Sequence, residues 1–140
     1  MRLTEILKQD QDLNNFIAKT KQVKNSLITG ANAGAFSLLL KQIVSEPNAP
    51  LILIEENESK AQNLYGELNS ILEDDAAHYF PVDATIATQT AVSSPDELSS
   101  RIQSLNFLLS GKPGIVVTTP QGLQYKLSSP ADFAKARREF

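Results

Sequence analysis

The sequence has no cysteine and no tryptophan, and it holds one histidine and one methionine among 140 residues. Without cysteine the chain can form no disulfide, no thiolate metal site and no catalytic thiol. No apolar run approaches the roughly 20 residues that a membrane span requires. The alternating charges of the first eight residues argue against a signal peptide. We therefore expect a cytoplasmic protein that has no membrane partner.

The composition is that of an ordinary globular chain, with 41% hydrophobic residues and a formal net charge of −3. This length is typical of one domain, and a weakly acidic chain gives no general attraction for nucleic acid. The cations concentrate near the two ends, at Arg2, Lys8, Lys19, Lys21 and Lys24 and again at Lys126, Lys135, Arg137 and Arg138. A solvated helix face explains the last group, with contact to DNA phosphates as the alternative.

Hydrophobic patterning predicts an alternation of strands and helices. We expect strands at residues 26–29, 51–54, 77–80 and 114–119, and helices at 2–20, 34–45, 58–72, 94–109, 120–127 and 131–140. This order is typical of an α/β fold, a parallel sheet flanked by helices in three layers. We expect a helical segment at residues 1–25, the α/β domain at 26–127, and the start of a linker or next domain at 128–140.

A glycine turn links the first predicted strand to the helix that follows it. In the sequence Thr29-Gly30-Ala31-Asn32-Ala33-Gly34 the glycines are four residues apart. A working P-loop has five residues' separation followed by lysine and a hydroxyl residue, which hold the phosphates and magnesium. Here Ala35 and Phe36 follow instead. We therefore predict a vestigial phosphate turn at Thr29, Gly30 and Gly34, with no catalytic, cofactor-binding or metal-binding residues.

Two other interpretations of this turn remain open. It resembles the glycine turn of short-chain dehydrogenases, with Glu55 or Glu56 near the position of a ribose-binding acid. Phe36 replaces the third glycine of that motif, and no Tyr-x-x-x-Lys pair is present. The alternative function is thus a small nucleotide- or dinucleotide-binding enzyme that uses the Gly30–Gly34 turn. In the simplest reading the glycines only let the chain turn sharply into a helix.

The remaining candidates have plainer explanations. His78 has no second potential metal ligand near it in sequence, and the paired acids Asp74-Asp75 and Glu55-Glu56 stand at the ends of predicted elements. We expect capping and solubility roles for these acids. Thr118, Thr119 and the loop at residues 82–94 are expected beside the glycine turn, because the ligand crevice of a parallel sheet lies beyond the carboxyl ends of its strands. An acidic module that binds a basic partner is a third possible function.

A collinear set of segments resembles the bacterial transcription-repair coupling factor family (Mfd). The segments are residues 27–31, 50–54, 61–68, 79–81, 93–96, 101–105 and 111–120, in order and at matching spacing. The chain departs from the family pattern after Pro81, where a Trp-Glu run is replaced by residues 82–86.

The resemblance implies an N-terminal domain like the first domain of the excision-repair helicase UvrB, a degenerate RecA-like module without catalysis. Such a module acts as a scaffold or regulatory domain in transcription-coupled nucleotide excision repair. In the family, ATP and magnesium serve the motor domains of an ATP-dependent DNA translocase, and this fragment has no cofactor. Its partners would be the other domains of the same protein, with UvrA contacted through the following domain and RNA polymerase and DNA through others.

Overall fold

A computed structural model of the chain describes residues 9–20, 22–44, 50–72, 75–82, 94–124 and 127–136. The chain divides into two compact units, Met1–Pro47 and Asn48–Phe140. The domain bounds predicted from the sequence, 1–25, 26–127 and 128–140, remain predictions. Residues 83–93 of the loop predicted at 82–94 lie outside the described residues, as do the cations Lys126, Arg137 and Arg138.

The described residues of the first unit form two helices, α1 (Gln11–Thr20) and α2 (Ala33–Val44). Asp10 precedes α1, and its carboxylate accepts hydrogen bonds from the backbone N–H groups of Asp12 and Leu13. Asn32 precedes α2 and caps it in the same manner. Both helices therefore begin at side chains that satisfy the free N–H groups of a first helical turn.

The second unit is built on a parallel sheet whose strands are β1 (Leu51–Ile54), β2 (Ala77–Tyr79) and β3 (Ile115–Thr118). The spatial order is β1-β3-β2, with Leu51 and Ala77 both in register with Ile115. The side chains of β3 are buried along the whole strand, which is typical of a parallel strand covered on both faces. The predicted parallel α/β architecture is thus confirmed.

Helices flank this sheet on opposite faces, namely α3 (Glu58–Ile71) and α4 (Pro95–Ser110). Tyr79 contacts Tyr65 of α3, with ring centroids 6.0 Å apart. The His78 ring contacts the Phe107 ring of α4, with centroids 4.2 Å apart. Because successive strand residues point to opposite faces, these two contacts place α3 and α4 on either side of β2. Two short helices, α5 (Pro120–Leu123) and α6 (Pro130–Ala136), follow β3.

The buried face of α4 is partly polar. Leu98 and Ile102 are 53% and 41% exposed. The helix buries Arg101, Ser104 and Phe107 instead. The Arg101 guanidinium lies 5.0 Å from the centre of the Phe80 ring, and the Ser104 hydroxyl donates to the Tyr79 carbonyl at 2.9 Å. Polar anchoring to the end of β2 therefore sets the rotation of this helix.

The strand predicted at residues 26–29 is wrong. Residues 25–29 have neither helical nor strand structure, and Leu27 is 88% exposed. The sheet of the described residues has three strands, where four were predicted. The apolar run is short, and a short run specifies a strand only where neighbouring strands bury it.

Candidate functional site

The predicted phosphate turn lies in the first unit, on the exposed surface that leads into α2. Thr29, Gly30 and Gly34 are all exposed. Gly30 has a φ of 85°, a left-handed conformation that favours glycine. Gly34 stands in the first turn of α2, where the nearest atom to an added methyl is Asn32 Oδ1 at 3.9 Å. The turn thus favours glycine at position 30 because of its positive φ, and close packing requires glycine at neither position.

The start of α2 is closed by its own cap. The side-chain oxygen of Asn32 accepts a hydrogen bond from Ala35 N at 2.8 Å, and the backbone carbonyl of Asn32 accepts one from Phe36 N at 2.9 Å. A bound phosphate uses the same N–H groups of a helix N-terminus. An anion here would compete with the Asn32 carboxamide. No strand precedes the turn, so the strand–turn–helix context of a P-loop is missing from residues 25–44.

The threonines predicted at the carboxyl edge of the sheet are buried and structural. The Thr118 hydroxyl donates to the Phe80 carbonyl at 3.0 Å, which ties the ends of β3 and β2 together. The Thr119 hydroxyl accepts from Gly122 N at 3.3 Å and caps α5. Each is 1% exposed. Neither hydroxyl reaches a surface where it would meet a ligand.

The carboxyl edge of the sheet also forms an open recess of about 620 Å³. Its lining comes from residues that follow the three strands, namely Asn57, Glu58, Ser59, Val82 and Gln121. This is where open α/β sheets bind ligands. The Asn57 side chain accepts from Lys60 N at 3.0 Å and thereby caps α3. The described residues of the lining thus include one carboxylate and no cation.

Lys60, the residue after Ser59 of the recess lining, forms an ion pair with Glu56. Lys60 Nζ lies 2.6 Å from Glu56 Oε1. The hydrogen bond and charge of Glu56 raise the pKa of Lys60, and Glu55 adds to the effect. The carboxyl end of β1 carries Glu55, Glu56 and Glu58 against this one lysine. Such a surface disfavours the phosphates of a nucleotide.

His78 is packed against Phe107, whereas its neighbour in space Asp75 is exposed. His78 is 9% exposed, and its Nε2 lies 3.1 Å from the Asp75 carbonyl and 3.7 Å from Asp75 Oδ1. Asp75 takes a left-handed conformation with φ of 64°. Within the described ranges, no three His, Cys, Asp or Glu side chains are grouped so that they could hold a metal ion.

The sequence predicted that Thr118 and Thr119 lie beside the glycine turn, but these residues belong to two different compact units. The lining of the recess was not predicted. Asn57 was detectable as a helix cap, because an asparagine directly before a helix pattern is a common start signal. Gln121 gave no signal of its own, because its place in the recess follows from Thr119 and Pro120 at the end of β3. Arg101 was not singled out from the sequence as a buried residue, and the structure buries it.

No protein-family model matches the chain, and no solved structure matches it. Curated relatives do match. The transcription-repair-coupling factor of Bacillus subtilis (strain 168) is 31% identical over 112 residues, which is 79% of this chain and 10% of that protein. The same-named protein of Staphylococcus aureus (strain bovine RF122 / ET3-1) is 28% identical over 130 residues, 91% of this chain and 11% of that protein.

The fold defines the second unit as a small α/β module with a parallel sheet flanked by helices. The chain is homologous to a segment of the transcription-repair-coupling factors, which confirms the resemblance stated from its sequence. It spans about a tenth of the length of the curated relatives it matches. No helix among the described residues is long and apolar enough to cross a membrane.

Proposed function

We propose that this chain is a non-catalytic scaffold and regulatory module of a transcription-repair coupling factor, equivalent to its N-terminal, degenerate RecA-like domain. The homology over 79–91% of the chain carries this proposal. The module acts in transcription-coupled nucleotide excision repair by packing against other domains of the same protein. Contact with RNA polymerase and DNA belongs to other parts of that protein, and contact with UvrA to the domain that follows this one.

The geometry of both candidate sites supports the absence of catalysis. The Thr29–Gly34 turn is exposed and its helix is capped by Asn32. The recess at the sheet edge is lined by Glu58 and flanked by the Glu56–Lys60 ion pair. A nucleotide site needs cations and free N–H donors aimed at its phosphates. In this proposal ATP and magnesium are used by the motor domains of the longer protein, and this segment binds neither.

The catalytic part of the proposal is tested by titrating the chain with magnesium and ATP while the backbone amide resonances of Gly30, Gly34 and Asn57 are followed by NMR. We expect no saturable shift at any of them. Micromolar binding with shifts at Gly30 and Gly34 would overturn the non-catalytic assignment and favour the nucleotide-binding enzyme. Shifts at Asn57 alone would place a ligand in the recess.

The module assignment is tested by exchange of the homologous segment. The matched 112 residues of the Bacillus subtilis factor are replaced by this chain, and repair of a transcribed strand is measured after ultraviolet damage. We expect the chimaera to restore strand-specific repair above the level of a factor that lacks the segment. A chimaera that accumulates normally and is no better than the deletion would contradict the assignment.

A further inference from the structure

We draw no further inference here: the strongest candidate, the apolar pocket of about 150 Å³ that Leu105 and Leu108 of α4 form with Ile52 of β1 and Leu123 of α5, carries no proposal because nothing in the described part of the chain shows what covers it.

Discussion

Replacing Gly122 by alanine should destabilise the second unit, although Gly122 lies in a helix. A methyl group added there would collide with the Thr118 hydroxyl and lie 3.6 Å from the Phe80 carbonyl. Thr118 is 1% exposed on the central strand and donates to that same carbonyl. Overpacking of this kind costs about 1–3 kcal/mol, and weakening the hydrogen bond costs about 1 kcal/mol more. Alanine regains about 1 kcal/mol in helix propensity, so the expected net loss is about 1–3 kcal/mol.

Urea unfolding followed by tyrosine fluorescence measures this loss. The chain has no tryptophan, and its three tyrosines, at positions 65, 79 and 125, all lie within Asn48–Phe140. The signal therefore reports the second unit alone. Gly66→Ala is the matched control, because no atom lies within 4 Å of its added methyl on α3. That variant should gain about 0.5–1 kcal/mol.

A double-mutant cycle isolates the collision. Thr118→Ala alone removes a buried hydrogen bond and should cost about 1–3 kcal/mol. It also removes the oxygen that the Gly122→Ala methyl meets. The double variant should therefore lose less than the sum of the single losses, by about 1 kcal/mol or more. A Gly122→Ala variant as stable as Gly66→Ala, or strictly additive losses, would refute the packing described here.

Three further outcomes are expected. Ser104→Ala should lower the urea midpoint and cost about 1–2 kcal/mol, because its buried hydroxyl donates to the end of β2. Gly30→Ala should cost about 1 kcal/mol in thermal unfolding followed by circular dichroism, since its φ is 85°; Gly34→Ala should be neutral or stabilising, and equal losses would contradict the turn geometry. Burial, with the charges of nearby carboxylates, raises the pKa of Tyr79 above its ordinary value of 10.0. Tyr79 therefore loses its proton at a lower pH in the unfolded chain than in the folded one. The free energy of unfolding should fall as pH rises above about 10, and Tyr79→Phe should reduce that fall.

The elements of the second unit were largely predictable because local chemistry specifies them. Ser94, Pro95 and Glu97 start α4 through a complete capping box, and Gly111 ends it with a φ of 66°. The apolar residues of β1 and β3 favour parallel strands covered by helices. Such signals lie within a few residues of one another, so they can be read from the sequence alone.

The rotation of α4 and the structure before α2 were not predictable, because distant contacts decide them. Arg101 is buried since Phe80 and the end of β2 receive it, and nothing near Arg101 in sequence indicates that. The run at residues 26–29 has strand propensity, but the described residues of its own unit include no strand that could pair with it. The recess could be placed at the sheet edge by topology, whereas its acidic character depends on Glu58 and on the ion pair of Lys60.

The strand order also sets when the second unit can fold during synthesis. β1 and β2 do not pair with each other, and each depends on β3, which leaves the ribosome after both. The register partner of Leu51 and of Ala77 is Ile115. Among the described residues the sheet has no hairpin of strands adjacent in sequence, and long-range parallel pairing is slow. The apolar Leu-Ile-Leu-Ile segment of β1 therefore stays exposed in the nascent chain until the central strand emerges, which is when this unit is most open to aggregation and to chaperone binding.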